Sequence, residues 1–268
     1  MAVSKPISPK PKNIEEYKVW LHERQATEIT SATENYYDIV ANKIKTGFEK
    51  SEFWMHLQVQ LGEYNDEFKV MTGYDLVTKS PIALVIKPYQ SFLLKTFRKN
   101  VLDNKQWPDP PQNGWILPNN WFTKINDIVR TLVTVRFLDG VDFLVQKLVA
   151  YGEQRKVKCK SFYVAREEGY YAAHLYIQQN FEIPKLEWDT TRIDVEIEVH
   201  VSTQLHELIR SLLHRYYENH RDRPRAKNEK WQWDYRSDEF DANYLGHILQ
   251  YVDGRIVLVR EKQKEIMS

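Results

Sequence analysis

The chain has 268 residues, 42% of them apolar and 13% aromatic, enough for one large domain with a substantial core. Its 38 basic and 37 acidic residues leave a net charge of +1, which argues against a protein that coats nucleic acid but leaves room for a local basic patch. One cysteine, Cys159, excludes an internal disulfide and a cysteine-rich metal site and fits a reducing compartment.

No apolar run follows the N-terminal charges, and no stretch approaches the roughly 20 apolar residues of a membrane span, so the expectation is a cytoplasmic protein with no membrane partner. Residues 1–12, rich in Pro, Lys and Ser, read as a flexible tail. Asn13 followed by Glu16 marks a helix start. Tyr17, Trp20, Leu21 and later Phe53, Trp54, Leu57 and Leu61, at three-and-four spacing, predict two or three scaffold helices within 13–80. A short strand at 83–86 leads into a helix with Phe92, Leu93 and Phe97 on one side. Residues 107–121 hold too much Pro, Gly and Asn for regular structure and form a loop pinned by tryptophans.

Beyond the loop, the pattern predicts a strand at 131–137, a helix near 141–151 and a strand at 157–164. A turn at Gly169 separates the last of these from strands at 171–181 and 192–201. Leu205, Leu208, Ile209, Leu212, Leu213 and Tyr216 form the apolar stripe of a long helix. A polar linker, 221–230, precedes a pair of C-terminal helices, one with Tyr244, Leu245, Ile248 and Leu249 and the other at 256–259. The order gives an α+β fold: a mixed sheet in a core spanning 81–220, helices before it, and a C-terminal helical extension over 221–268.

The run IDVEIEVHV, 193–201, alternates strictly. Ile193, Val195, Ile197, Val199 and Val201 form one face, and Asp194, Glu196, Glu198 and His200 the other, with same-face neighbours about 6 to 7 Å apart. By pattern alone the polar row is either a solvated outer face or a divalent-metal or general-base site.

Three further motifs precede this strand. KPYQSFLLK, 87–95, sets Lys87, Ser91 and Lys95 along one side of a helix start, where two ammoniums, a hydroxyl and helix-terminal amides can hold a polyphosphate. INDIVRTLVTVRFLD, 125–139, carries Asp127 just ahead of a strand. REEGYYAAH, 166–174, puts Gly169 at a turn and Tyr170 directly after it, an aromatic ring suited to stacking on a nucleobase.

In this order and spacing the four segments resemble the synthetase domain of the RelA/SpoT-type (p)ppGpp synthetases, in the form of a stand-alone small alarmone synthetase. The resemblance spans Lys87 to Thr203, roughly half the chain. It implies a nucleotidyltransferase-like fold and transfer of the β,γ-pyrophosphate of ATP to the 3′-hydroxyl of GDP, GTP or an adenosine nucleotide, with AMP released. It further implies that Lys87, Ser91 and Lys95, helped by Arg98, bind ATP, and that Asp127 and Glu198 are catalytic and hold Mg2+. By the same resemblance Tyr170 stacks on the acceptor's base, Gly169 makes the turn, and Arg166, His174 and His200 line the acceptor side. Glu198, His200, Ser202 and Thr203 match the family's E-x-Q-x-R-T as E-x-H-x-S-T.

Two departures fall together. Val85 and Leu132 stand where the family has the two arginines that sandwich the adenine, which implies an apolar slot for the base, with Arg130 or Arg136 as replacements. A variant of the same chemistry, in toxic members with an antitoxin partner, takes the 3′ end of tRNA. Arg210, Arg215, Arg221, Arg223, Arg225 and Lys227 would then hold phosphates, or simply form a solvated face. A reading from another class is a catalytically silent nucleotide-sensing or protein-binding module. The aromatic segment 231–254 suits packing on the core, homo-oligomer assembly or docking of a partner.

Overall fold

The computed structural model describes residues 9–79, 81–185, 189–212 and 231–267. Three helices lead: α1 (Ile14–Gln25), α2 (Ser31–Glu49) and α3 (Glu52–Thr72). Each starts where a side chain satisfies an otherwise orphaned amide. Asn13 accepts from the Glu16 amide, Thr30 from Ala32 with Thr33 closing a capping box, and Ser51 from Trp54. The third ends at Gly73, whose φ of 84° is the left-handed turn that glycine adopts without strain.

Strand β1 (Val85–Ile86) is shorter than the 83–86 expected. Helix α4 (Tyr89–Phe97) runs into a π turn (Arg98–Leu102), and the short α5 (Trp121–Lys124) closes the tryptophan loop. The rest of the sheet and its cover are β2 (Val129–Val135), α6 (Leu138–Gln154), β3 (Cys159–Ala165), β4 (Tyr171–Pro184) and β5 (Thr190–Thr203), followed by α7 (Gln204–Leu212). The strands form one five-stranded sheet in the order β1-β2-β5-β4-β3. Only β2 and β5 pair in parallel, so the sheet is mixed, as expected.

The alternation in the sequence becomes two unlike faces. Val129, Thr131, Val133 and Val135 of β2 and Val195, Ile197, Val199 and Val201 of β5 are buried. Helices α2 and α6 cover the sheet, adding Tyr37, Val40, Ile44 and Phe48 from one and Leu144, Leu148 and Tyr151 from the other to the same apolar cluster. Burying an aliphatic side chain of this kind contributes roughly 1.5–3 kcal/mol. The register puts Val85, Arg130, Leu132, His174, Tyr176, Glu196, Glu198 and His200 on the opposite face.

The C-terminal segment corrects the expected pair of helices. It is a single helix, α8 (Asp238–Met267), 30 residues long, preceded by a 3-10 turn (Trp231–Trp233). It runs through Gly254, where a Cβ would find Leu138 at 3.9 Å. Thr203 at the end of β5 donates to Asp253 (2.5 Å), Arg260 pairs with Asp139 at the start of α6, and Lys264 donates to the carbonyl of Met71. These contacts hold the helix across one end of the core, and it continues unbroken between the two clusters expected to form separate helices. Leu213 and Tyr216 of the expected apolar stripe and the linker 221–230 lie outside the described residues. Among the described residues no helix is long and apolar enough to cross a membrane.

Candidate active site

The β1–β2 ladder continues one residue past β1, because the Lys87 amide donates to the Ile128 carbonyl (2.8 Å). Tyr37 of α2 donates to the Lys87 carbonyl (2.6 Å), so the backbone of Lys87 is fixed on both sides. Its side chain, 2% exposed, reaches Asp127 Oδ2 at 3.1 Å. From α4, Lys95 Nζ lies 2.8 Å from Asp127 Oδ1. One carboxylate thus sits between two ammoniums. Burial pushes the Asp127 carboxyl up, but the charges of Lys95 and Lys87 more than offset it and hold it at about 2. Burial lowers the Lys87 ammonium, against the pull of Asp127 and with the push of Arg130 and Lys95.

The two other residues expected on the donor side lie differently. Ser91 is half-buried on α4. Arg98 pairs loosely with Asp103 (4.0 Å), whereas Lys99, four residues after Lys95 and inside the π turn, feels the charges of Lys95 and Asp127. Lys99 continues the four-residue spacing of Lys87, Ser91 and Lys95, a signal present in the sequence. Of the two replacement arginines, Arg136 pairs with Asp75 (3.3 Å). Arg130 is in register with Val85 on one side and Glu198 on the other, and its charge acts on Lys87, Tyr170 and His200.

On the neighbouring strands a line of polar groups runs from Glu198. Glu198 Oε1 lies 2.8 Å from His174 Nδ1 and accepts from the Tyr176 hydroxyl at 3.2 Å. His174 Nε2 lies 3.0 Å from the Tyr170 hydroxyl, which in turn is 3.3 Å from His200 Nε2. With Glu198 as carboxylate the tautomers follow from the partners. His174 donates from Nδ1 to Glu198, Tyr170 donates to His174 Nε2, and His200 donates from Nε2 to Tyr170. The two imidazoles stack in parallel, 4.9 Å apart with 1° between their planes.

Burial, helped by His174, Arg210 and Arg130, depresses His200 to about 3, so it is neutral at pH 7. Burial, reinforced by Glu198, raises the Tyr170 hydroxyl to about 12. The Tyr170 ring carries the Arg166 guanidinium over it, 5.5 Å from the ring centroid. Tyr176 connects the two halves: burial, Glu198 and Asp127 all raise its hydroxyl. Nothing in the spacing of the sequence singled it out, because its place beside Glu198 depends on the β4–β5 register.

Among the described residues no cluster of three or more His, Cys, Asp or Glu side chains is arranged around a metal. The chemistry of the donor set nonetheless fits Mg2+, which commonly takes one or two carboxylates and completes its shell with water and phosphate oxygens. Asp127 Oδ1 is buried and receives no hydrogen bond, since Lys95 meets it as an ion pair only. Of the expected basic cluster, Arg210 is described and binds both oxygens of Glu207, at 2.7 and 2.8 Å. Arg215, Arg221, Arg223, Arg225 and Lys227 lie outside the described residues.

The mixed five-stranded sheet with helices at both ends is a fold shared with solved small alarmone synthetases. A GTP pyrophosphokinase family protein from Streptococcus pneumoniae superposes with a TM-score of 0.54 at 14% identity, over 89% of this chain and 97% of that one. Small alarmone synthetase 1 from Bacillus subtilis, bound to its product pppGpp, superposes with a TM-score of 0.50 at 14% identity, over 78% and 91%. The likeness is one of fold. No protein-family model matches the sequence, and no curated protein matches it.

Proposed function

We propose that the chain is an ATP-dependent pyrophosphokinase that transfers the β,γ-pyrophosphate of ATP to the 3′-hydroxyl of a nucleotide. The observation that carries this reading is the Lys87–Asp127–Lys95 cluster together with Arg130 and Glu198, paired in register on adjacent strands, and the Tyr176 hydroxyl that donates to Glu198. Lys87, Lys95 and Arg130 against Asp127 and Glu198 leave one positive charge in surplus for a triphosphate. Mg2+ held by Asp127 and Glu198 would offset charge on the β- and γ-phosphate oxygens.

In the reaction the acceptor's 3′-oxygen bonds to the β-phosphorus. The bond from that phosphorus to the α–β bridging oxygen breaks, and AMP leaves with the oxygen. Glu198 takes the hydroxyl proton, since its Oε1 is already oriented by His174 and Tyr176. Lys87, Lys95 and Lys99 hold the donor. Arg166, Tyr170 and the His174–His200 stack form the acceptor wall, with Gly169 making the turn that presents it. The fold shared with a synthetase that carries pppGpp as its product favours a guanosine acceptor.

Incubating the purified protein with γ-labelled ATP, Mg2+ and in turn GDP, GTP, ADP or tRNA tests this. The expected result is label on a free nucleotide and an equal amount of AMP, by mass spectrometry. Label on the tRNA 3′ end would move the acceptor to tRNA. Release of free pyrophosphate, or no transfer to any of the four, would overturn the reading.

A further inference from the structure

The β3–β4 turn that carries Arg166 and Tyr170 does not stand alone. It is closed by the Gly169 amide on the Arg166 carbonyl and the Arg166 amide on the Tyr170 carbonyl, both 3.0 Å. Gly169, at φ +72°, lies backbone to backbone against Gly246 of α8. A Cβ on Gly169 would overlap the Asn243 carbonyl oxygen, and one on Gly246 would overlap the Gly169 carbonyl oxygen. Neither position tolerates a side chain without separating turn from helix.

The next residue along the helix adds directed bonds. His247 Nε2 is 2.9 Å from the Glu167 carbonyl oxygen, so that nitrogen carries the proton. Its Nδ1 therefore accepts from the Tyr171 hydroxyl, at 2.8 Å. One imidazole thereby ties the turn's leading strand side, at Glu167, to its trailing strand, at Tyr171. Gln232, ahead of α8, also donates to the Glu167 carboxylate. All these groups lie on the far side of the turn from Glu198 and touch none of the residues assigned to the reaction except through the turn.

We infer that helix α8 is the positioning element of the acceptor site, with Gly246 and His247 as positioning residues that hold the turn where Tyr170 and Arg166 can meet an acceptor nucleotide. The inference rests on the proposed pyrophosphokinase reading and deepens it. The acceptor subsite is built jointly by the sheet and by a segment some 75 residues further along the chain, while the donor subsite does not touch α8.

The test compares His247→Leu, which removes both bonds, with His247→Gln, whose amide can donate to Glu167 and accept from Tyr171, and with Tyr171→Phe, which deletes one hydroxyl. Steady-state transfer with GDP as acceptor should show KM for GDP raised roughly tenfold in His247→Leu, the scale of a lost hydrogen bond. Tyr171→Phe should show a smaller rise, His247→Gln values near the parent, and all three an unchanged KM for ATP. Amide hydrogen exchange at residues 167–171, which needs no turnover, should quicken in His247→Leu and not in His247→Gln. If exchange in the turn and KM for GDP both stay at the parent values in His247→Leu while Glu198→Ala abolishes transfer, the inference fails and the pyrophosphokinase reading stands. If Glu198→Ala still makes product, Glu198 leaves the mechanism and transfer stands; if the parent protein transfers no pyrophosphate to GDP, the reading fails, and the positioning claim for an acceptor fails with it. If His247→Leu does not fold, Tyr171→Phe decides by the same two readouts.

Discussion

The donor and acceptor halves of the candidate site are built by opposite physical means. The donor half is ionic, with Lys87 and Lys95 at 3.1 and 2.8 Å from the two oxygens of Asp127. The acceptor half is a hydrogen-bonded run, two imidazoles and a phenol leading to one carboxylate, brought together from β4, β5 and a turn held by α8. Charges act over distance and tolerate small displacements, whereas a hydrogen-bonded run needs every member within a few tenths of an ångström. The donor half therefore tolerates small shifts that the acceptor half, tied to the β4–β5 register and to α8, does not.

The comparison breaks hardest at Glu198, where the two halves meet. Glu198→Ala is expected to reduce transfer on the order of 10^3-fold in the labelled-ATP assay, with the circular dichroism spectrum retained. Next comes the buried ion pair. Lys87→Met leaves Asp127 with one partner and should cost about 3 kcal/mol in urea unfolding, while Lys95→Met, at the more exposed lysine, should cost about 1 kcal/mol. Equal losses in the two variants would mean that burial does not separate them.

The acceptor half can be read by pH. An unfolded imidazole takes up a proton near pH 6.5, but folded His200 holds out to about 3, so the unfolded state binds more protons between these values. Stability should fall as the pH drops from 6.5 towards 3, by about 2 kcal/mol between pH 6.5 and 5. His200→Gln should lose that part of the slope in thermal or urea unfolding, and an unchanged slope would assign the effect elsewhere. The smallest expected effect concerns the adenine slot. Val85, half exposed opposite Arg130, marks an edge where an arginine can reach the base. Val85→Arg should lower KM for ATP about fivefold, a cation–π contribution of about 1 kcal/mol, and leave KM for GDP unchanged.

What the sequence made legible follows the same division. Strict alternation over 193–201 gave the buried and polar faces of β5, because period two is a property of any strand. The four-residue spacing of Lys87, Ser91 and Lys95 continues to Lys99, whose ammonium feels the charge of Asp127, and Arg98 is the residue beside it in the π turn. Tyr176 and the partnership of Tyr170 with both histidines depend on cross-strand register, which no single strand encodes. The apolar clusters at 244–249 and 256–259 read as two helices, and Gly254 between them disfavours a continuous helix by about 1 kcal/mol. Tertiary contacts outweigh it, with Asp253 bound to Thr203 and Arg260 to Asp139.

The Tyr37 hydroxyl on the carbonyl of Lys87 has a consequence for how the molecule can be cut. The leading helices are not an annex to a self-sufficient catalytic core. Removing them would strip the buried sheet face of one of the helices that cover it and release the backbone that aims the most deeply buried lysine. A fragment starting near residue 81 is expected to misplace Lys87, and with it the donor binding proposed above, while keeping every residue of the motifs.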